Sequence, residues 1–436
     1  MPCRIAARSR WRSRSRPATS HAANAPRNCA CRGCCNETTP FEWLTACSHS
    51  IPLQGRRQRP GRASSAASAG IACSAAFRTS ACEPIACFAR WRDVPGRAEL
   101  TAFASAAGAP PLLSVRDLAI RFPLPERGQT VHAVDGVSFD VLAGETFGII
   151  GESGSGKTTL GRALVSLLPP TEGQVLHAGV DPQTLGARAL RAHRRDYQII
   201  FQDPHAALNP RQRVLDSVCE PLEIAGGLSA AERERRALQA LDRVGIAAEY
   251  AQRYPHMLSG GQKQRINIAR ALTLQPKLIV CDEVVAALDV SIRGDVLNLF
   301  ADLQRELGLT YVFITHDLSV VSHVSDRIAV TYLGRLMEVG PTEAVGERPL
   351  HPYTEALMSA DPLPLPSHLR THKRIVLQGE IPSPIDPPSG CRFRTRCPSA
   401  QQRCTDEVPA WRELRPAHWA ACHYATADGP PQRHGP

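Results

Sequence analysis

The chain has 436 residues, enough for two or three domains with ample buried cores. Its formal net charge of +10 would suggest a nucleic acid or a membrane surface as partner, but the charge is unevenly distributed. Residues 1–110 contain 16 arginines and 5 acidic residues, whereas the rest of the chain contains 35 basic and 36 acidic residues. The basic character therefore belongs to the N-terminal quarter, and it does not indicate nucleic-acid binding by the remainder.

The sequence has no apolar run of about 18 residues or more, so no helix that crosses a bilayer is predicted. The N-terminus has basic residues but lacks the apolar core, about 7–15 residues long, of a secretory signal. We therefore expect a soluble protein that faces the cytoplasm, and any link to a membrane must come through a partner.

Residues 1–110 form a leader rich in Arg, Ala, Ser and Cys, without a sustained period of 2 or 3.6. Three interpretations stay open. The leader is disordered or translated from a start codon placed too far upstream, it is an organelle transit peptide, or it holds a metal near Cys31, Cys34 and Cys35. The metal site depends on one CxxC pair without a matching second pair, which is a weak signal.

Beyond residue 111 the pattern predicts alternating strands and helices. The predicted strands cover residues 113–122, 137–141, 146–150, 278–281 and 310–315, with a proline-containing loop at 123–130. The predicted helices include 157–168, 229–244, 261–274 and 291–307. Because strands that are apolar throughout are buried on both faces, the fold class is α/β with a parallel sheet. The Pro-rich residues 361–366 are typical of a linker, and the tail beyond them is too poor in apolar residues for a conventional core.

A glycine-rich loop directly follows the predicted strand 146–150. Residues 151–158 read GESGSGKT, which fits the phosphate-binding pattern GxxxxGK[ST] between a buried strand and a helix. Backbone N–H groups of such a loop point at phosphates, and the helix N-terminus adds partial positive charge. Lys157 is predicted to reach the β- and γ-phosphates and Thr158 to bind Mg²⁺. The predicted nucleotide-binding residues are Gly151, Glu152, Ser153, Gly154, Ser155, Gly156, Lys157, Thr158, Thr159 and Phe122.

Phe122 is included as the aromatic residue that would stack on a base. It lies at the end of the first predicted strand. Val131 or His132 in the following loop are alternatives, and Phe122 as a plain core residue is another interpretation.

Two acidic residues end the buried strand 278–281. Asp282 is placed to hold Mg²⁺ directly or through water, and Glu283 is placed to polarise an attacking water as general base. An acidic pair at a strand end is weak alone, but downstream of a phosphate-binding loop it indicates nucleotide hydrolysis.

Residues 258–262 read LSGGQ and open the predicted helix 261–274. Ser259, Gly260, Gly261 and Gln262 can act as a helix cap or present an anion-binding helix end. Together with the GESGSGKT loop about a hundred residues earlier, and with the continuation KQRINIARAL, this segment resembles the nucleotide-binding subunit of an ATP-binding-cassette (ABC) transporter. In that family the segment closes on ATP that is held by a second subunit.

The resemblance implies further roles. Gln202 is similar to the Q-loop glutamine, which contacts Mg²⁺ and the lytic water near the docking surface of the membrane subunits. His316 is similar to the switch histidine that contacts the γ-phosphate, and Asp289 would lie at the dimer seam. The chain has Val284 and Ala286 where the family more often has Pro and Ser, so a hydrogen bond at the seam is in doubt.

Two further segments resemble the ATPases of dipeptide and oligopeptide importers, especially the second of their two ATPase subunits. They are residues 201–210 (FQDPHAALNP) and 350–357 (LHPYTEAL), and the resemblance spans about residues 112–424. It implies ATP and Mg²⁺ as ligands, two transmembrane permease subunits, a second and different ATPase subunit, and an external solute-binding protein. The expected place is the cytoplasmic face of the inner membrane. The expected domains are the leader 1–110, an ATP-binding domain 111–345 and an extension 346–436.

The extension in this group carries a cysteine pattern that is matched by Cys391, Cys397, Cys404 and Cys422. Four thiolates can hold a [4Fe–4S] cluster. A zinc site and unoccupied structural thiols are the alternatives, and disulfides are not expected in a reducing cytosol.

Other functions remain open at this point. A soluble ABC-type ATPase of translation or DNA repair would carry two cassettes or a long coiled coil, which this sequence lacks. A regulatory subunit without catalysis would be expected to lack Glu283 or Lys157. Glutathione or nickel are alternative solutes, because the peptide assignment depends on family resemblance alone.

Overall fold

The computed structural model describes residues 110–125, 128–360 and 374–432. The leader, including the cysteines near residue 31, and the predicted linker at 361–366 lie outside the described residues. All elements below belong to one compact unit of the chain.

The described elements follow the predicted alternation. The strands are β1 Leu113–Leu124, β2 Gln129–Val141, β3 Thr146–Ile150, β4 Glu172–His177, β5 Tyr197–Ile200, β6 Leu278–Asp282, β7 Thr310–Thr315, β8 Arg327–Tyr332, β9 Arg335–Pro341, β10 Arg412–Arg415 and β11 His418–Ala420. The helices are α1 Lys157–Leu164, α2 Ala187–His193, α3 Pro204–Ala207, α4 Val214–Ala225, α5 Ala230–Arg243, α6 Gly260–Leu272, α7 Val290–Leu307, α8 Leu318–Val324, α9 Thr342–Glu347, α10 Pro352–Ser359 and α11 Gln402–Asp406.

The main sheet has the strand order β10-β11-β9-β8-β3-β7-β6-β5. Its five strands β8, β3, β7, β6 and β5 are mutually parallel, while β9, β11 and β10 continue it in antiparallel fashion. Strands β3, β6 and β7 are buried along their whole length, as their apolar sequences predict. The predicted parallel α/β sheet is therefore confirmed, and the carboxyl ends of β3, β5, β6 and β7 meet at one edge.

A second sheet, β2-β1-β4, is antiparallel, and here the predicted loop at 123–130 is wrong. Pro123 pairs with Thr130 in a hairpin that turns near Gly128. Pro123 lies beyond the last register pair between β1 and β4, Ala119 with Glu172, so its missing N–H interrupts no three-strand ladder.

The observed ends of two elements also differ from the predicted ones. The helix predicted at 157–168 ends at Leu164, because Ser166 adopts a positive φ of 59° that a helix cannot continue through. The second strand begins at Gln129, eight residues before the predicted start at 137, because the hairpin pairs both chains.

The tail, which is too poor in apolar residues to build a conventional core of its own, joins the core of the ATP-binding part. Phe393 is fully buried and its ring packs 5.4 Å from that of Tyr332 and 5.2 Å from that of Tyr353. Strand β11 pairs with β9, and the buried carboxylate of Glu338 in β9 receives a hydrogen bond from Leu350 N–H at 2.8 Å. A few aromatic residues therefore suffice, because the tail completes a core on the ATP-binding part instead of building its own.

Candidate functional site

The phosphate-binding loop runs from β3 into α1, and the side chain of Lys157 binds the loop's own backbone. Lys157 Nζ donates to the carbonyl oxygens of Gly151 at 2.8 Å and Glu152 at 2.9 Å. Gly156 has a φ of +92°, and a Cβ there would lie 1.9 Å from the carbonyl oxygen of Ala133. No other residue type fits at this position, because both the backbone conformation and the close approach of β2 require glycine.

Burial and negative charge act in opposite directions on Lys157. Desolvation lowers the pKa of its ammonium, and the nearby carboxylates of Glu283, Asp282 and Glu152 raise it. A buried cation at the N-terminus of a helix is suited to bind phosphate.

Asp282 ends β6 beside the first turn of α1. Its Oδ1 accepts a hydrogen bond from Thr158 Oγ1 at 3.1 Å. Burial raises the pKa of Asp282, the Thr158 hydrogen bond lowers it, and the charge of Glu283 raises it. A hydroxyl and a carboxylate oxygen at this spacing form a ligand set of the hard type that Mg²⁺ prefers, so the residues fit the ion.

Glu283 stands at the centre of the acidic end of the site. Its Oε2 accepts from Gln202 Nε2 at 2.6 Å, and its Oε1 lies 3.0 Å from His316 Nδ1. The backbone of Glu283 has φ +50°, a strained value for a residue with a side chain. Its N–H donates to the carbonyl of Ile314 in β7 at 2.8 Å, which holds that conformation. The residues after β5, β6 and β7 thus converge on one carboxylate.

Phe122 lies on the β1–β2 hairpin opposite Val131. Its side chain is 39% exposed, so its interpretation as a plain core residue is wrong. The adjacent residues of β2 reach the phosphate-binding loop, because Ala133 is the neighbour of Gly156. Phe122, Val131 and His132 all remain predictions for contact with the base.

The LSGGQ segment forms the N-terminus of α6. Ser259 Oγ accepts from Gln262 N–H at 3.3 Å, and Gln262 Oε1 accepts from Ser259 N–H at 3.0 Å. This reciprocal cap orders the segment without involving the rest of the site. A Cβ at Gly260 would meet no atom within 4 Å, whereas one at Gly261 would lie 2.9 Å from Ile292 Cγ2. The segment therefore presents an open face at Gly260.

Asp289 is exposed at the N-terminus of α7. Arg293, which no motif in the sequence marks, orders the segment before Asp289. The Arg293 guanidinium donates to the carbonyl oxygens of Leu288 at 2.8 Å and Ala286 at 3.3 Å, and to Asp317 Oδ2 at 3.1 Å. In the sequence Arg293 is simply an arginine in the first turn of α7. Arginines at such positions are too common to indicate this role.

The four cysteines of the tail come together. Cys391, Cys397, Cys404 and Cys422 line one small cavity, and Cys391 N–H donates to the carbonyl of Cys404 at 2.8 Å. Burial raises the pKa of the Cys391 thiol to about 11 and that of Cys397 to about 12. Within the described ranges, no group of three or more His, Cys, Asp or Glu side chains is arranged to hold a metal ion. The geometry thus lends the predicted iron–sulfur cluster no support.

Two residues of the C-terminal region, also missed by sequence analysis, touch the phosphate-binding loop. Arg396 Nη1 donates to Glu152 Oε2 at 2.6 Å, and Glu152 N–H donates to the Tyr353 hydroxyl at 3.1 Å. Tyr353 belongs to the LHPYTEAL segment, but its contact partner could not be read from the sequence.

These features define a nucleotide-binding cassette of the P-loop class. A family model described as "ABC transporter" matches residues 134–286, and one described as "Oligopeptide/dipeptide transporter, C-terminal region" matches residues 337–404. The chain belongs to the ABC transporter family, as an ATP-binding subunit with ATPase activity. ATP and Mg²⁺ are the ligands of this family, whose importers combine a dimer of cassettes with membrane permeases. The resemblance inferred from the motifs is confirmed.

The matches to similar proteins cover nearly the whole length of those proteins. A Brucella ovis protein named for peptide import and ATP binding is 53% identical over 312 residues, which cover 72% of this chain and 97% of that protein. The oligopeptide transport ATP-binding protein AppF of Bacillus subtilis is 48% identical over 325 residues, 73% of this chain and 99% of that protein. A solved dimer of an ATP-binding cassette with ADP and Pi is 31% identical, covers 53% of this chain and 98% of its own, and has a TM-score of 0.48.

None of the helices in the described residues has the length and apolar character needed to span a membrane.

Proposed function

We propose that this chain is the ATP-hydrolysing subunit of an importer of dipeptides or oligopeptides. The observation that carries the proposal is the convergence of Gln202 and His316 on Glu283 beside the phosphate-binding loop. The names of similar proteins from Brucella ovis and Bacillus subtilis support peptides as the solute. The soluble-ATPase and glutathione or nickel alternatives have no comparable support.

We propose the following residue roles, which the geometry of the site supports. The loop at 151–158 binds the phosphates, with Lys157 as the charged donor. Thr158 and Asp282 would hold Mg²⁺, which would neutralise phosphate charge. Glu283 accepts a proton from the attacking water as general base, and the amide of Gln202 and the ring of His316 orient its two oxygens.

The LSGGQ face and Asp289 act in a dimer of cassettes. Ser259 and the amides of Gly260 and Gly261 cover the nucleotide of the opposite subunit, and Asp289 lies at the seam. A different second ATPase subunit is proposed as the partner, by analogy with the family. In that arrangement ATP closes the two cassettes, and hydrolysis lets them part.

A groove of about 590 Å³ beside the Gln202 loop is the proposed docking surface for a permease. Phe201 and Ile224 line it and are 40% and 63% exposed. Arg191, Arg194 and Arg195 add positive charge to one wall. We propose that a short cytoplasmic helix of a permease subunit, apolar with acidic residues, occupies it. Gln202 follows Phe201 directly and donates a hydrogen bond to Glu283. A permease helix bound at Phe201 could therefore change the position of the Glu283 carboxylate. This contact would place the chain at the cytoplasmic face of the inner membrane, with a solute-binding protein on the other side.

For the four cysteines of the tail the proposal is a structural or regulatory [4Fe–4S] cluster, with zinc as the rival. The proposal depends on the resemblance of their spacing to the cysteine pattern of the importer ATPases, and metal binding must remove protons from thiols whose pKa is raised by burial. We expect about four iron atoms per chain after anaerobic purification, with broad visible absorption that is lost in Cys397→Ser. One zinc atom, or no metal, would overturn the cluster.

The trans role of the LSGGQ face predicts a distinct phenotype for Gly260→Asp. Because a side chain there meets no atom within 4 Å, we expect an unchanged melting temperature and unchanged ATP binding by the single chain. Hydrolysis by the assembled dimer should fall about 100-fold, since a carboxylate would face the γ-phosphate of the partner's ATP. Gly186→Asp, at another open glycine, is the control. Normal dimer hydrolysis by Gly260→Asp would place the contact elsewhere.

The function is tested by measuring ATP hydrolysis by the full chain alone and together with its permease and partner ATPase subunits. We expect hydrolysis that rises when the permeases and peptide-loaded binding protein are present. Hydrolysis that is indifferent to every membrane partner would favour the soluble ATPase instead.

A further inference from the structure

The C-terminal region forms a partly buried ion pair with the phosphate-binding loop. The Arg396 side chain is 9% exposed and that of Glu152 is 24% exposed, and their charged atoms are 2.6 Å apart. Solvent screens such a pair less than a surface pair. The loop is therefore held from outside the ATP-binding part by a directed, charge-assisted hydrogen bond.

Glu152 also contacts Lys157, the residue proposed to bind the phosphates. Its carbonyl oxygen accepts from Lys157 Nζ at 2.9 Å and from the N–H of Ser155 at 3.2 Å. Arg396, Glu152 and Lys157 thus form a continuous series of contacts from the tail to the cation that would meet the phosphates.

The tail end of this series is rigid. Arg396 lies 5.9 Å from the ring centroid of Tyr332, whose ring is 4.8 Å from that of Tyr353. Tyr332, Tyr353 and Phe393 are almost fully buried. An arginine that leaves such an aromatic cluster has few alternative rotamers, so little entropy is lost when it binds Glu152.

A second contact reaches the other end of the predicted nucleotide site. The backbone N–H of His132 in β2 donates to the carbonyl of Pro384 at 2.9 Å. His132 is one of the candidates for contact with the base. The C-terminal region therefore touches the phosphate loop and the β1–β2 hairpin at once.

We propose that Arg396 and Tyr353 are positioning residues that preorganise the phosphate-binding loop, so that the C-terminal region sets the affinity for ATP. The proposal depends on the proposed function, because it assumes that residues 151–158 bind the nucleotide. Fixing Glu152 fixes the backbone on either side of it, which lowers the ordering cost of binding. Neither residue touches the reacting atoms, so affinity should change more than turnover.

The test is titration of the full chain with a fluorescent ATP analogue. Arg396→Leu should raise the Kd about three- to tenfold, the range expected for loss of one charge-assisted hydrogen bond that acts indirectly. Arg396→Lys should recover part of the affinity. The double variant Arg396→Leu/Glu152→Gln should be no weaker than the weaker single variant, since both remove one interaction. In the assembled transporter, KM for ATP should rise while kcat stays within about twofold.

Arg403→Leu is the matched control, because this tail arginine pairs with Glu407 in its own exposed segment. Its Kd should equal that of the wild type. An Arg396→Leu Kd within about twofold of the wild type, at an unchanged melting temperature, would overturn this inference and leave the ATPase function intact. Failure of the wild-type chain to bind the analogue would overturn both.

Discussion

Replacing Glu283 with glutamine is expected to lower ATP hydrolysis about 100- to 10,000-fold, the range for loss of a positioned general base. The amide keeps the shape of the side chain and its contacts with Gln202 and His316, which lie 2.6 and 3.0 Å from the carboxylate oxygens. It cannot accept the proton of the attacking water. ATP binding should therefore survive, and the dimer of cassettes should stay closed on its nucleotide.

Glu306→Gln provides the matched control, because Glu306 is an exposed glutamate in α7. Hydrolysis rates from phosphate release and Kd values from a fluorescent analogue would be measured for both variants and the wild type. If Glu283→Gln hydrolyses ATP within about threefold of the wild-type rate, the water is activated by another group and the assignment of the base is wrong.

Replacing Lys157 with alanine is expected to weaken ATP binding about 10- to 100-fold, which corresponds to one buried hydrogen bond to a charged group. Lys157 is 6% exposed, and its ammonium lies among carbonyl oxygens of the loop it would share with the phosphates. The melting temperature without nucleotide is measured alongside, because the variant also loses the hydrogen bonds from Lys157 Nζ to the carbonyl oxygens of Gly151 and Glu152.

The comparison for this variant is Lys277→Ala, which removes an exposed lysine that is 2.7 Å from Asp196. A surface pair of this kind contributes about 0–1 kcal/mol to stability, and the variant should bind ATP normally. Calorimetric titration with ATP separates the two cases. Equal Kd values for Lys157→Ala and the wild type would show that the glycine-rich loop does not hold the phosphates in the way described.

Much of the site could be predicted because its parts sit at the ends of buried parallel strands. Strands β3 and β7 have the predicted bounds, since runs that are apolar throughout have few alternative environments. Gln202 and Glu283 are 81 residues apart in sequence, yet they are in contact because both follow adjacent strands. The positions of these residues at the ends of predicted parallel strands therefore sufficed to predict that they lie close together.

The contacts of the tail could not be predicted in the same way. Arg396 and Glu152 are 244 residues apart, and their contact depends on where an irregular segment with few apolar residues lies. No periodicity marks such a segment, so only the folded aromatic cluster around Phe393 reveals its position. The hairpin at 123–130 could not be predicted either. Proline is tolerated in a strand where its missing N–H faces no neighbouring strand, so Pro123 does not mark the end of β1.

Peptide uptake into vesicles tests the central proposal most directly. The vesicles would contain the permease subunits, the partner ATPase and this chain, with ATP inside the compartment that the chain faces and a labelled oligopeptide with its binding protein outside. We expect uptake that requires ATP, is abolished by Glu283→Gln and is unaffected by Lys277→Ala. Uptake that continues at the wild-type rate with Glu283→Gln, or ATP hydrolysis without any peptide movement, would contradict the proposed function.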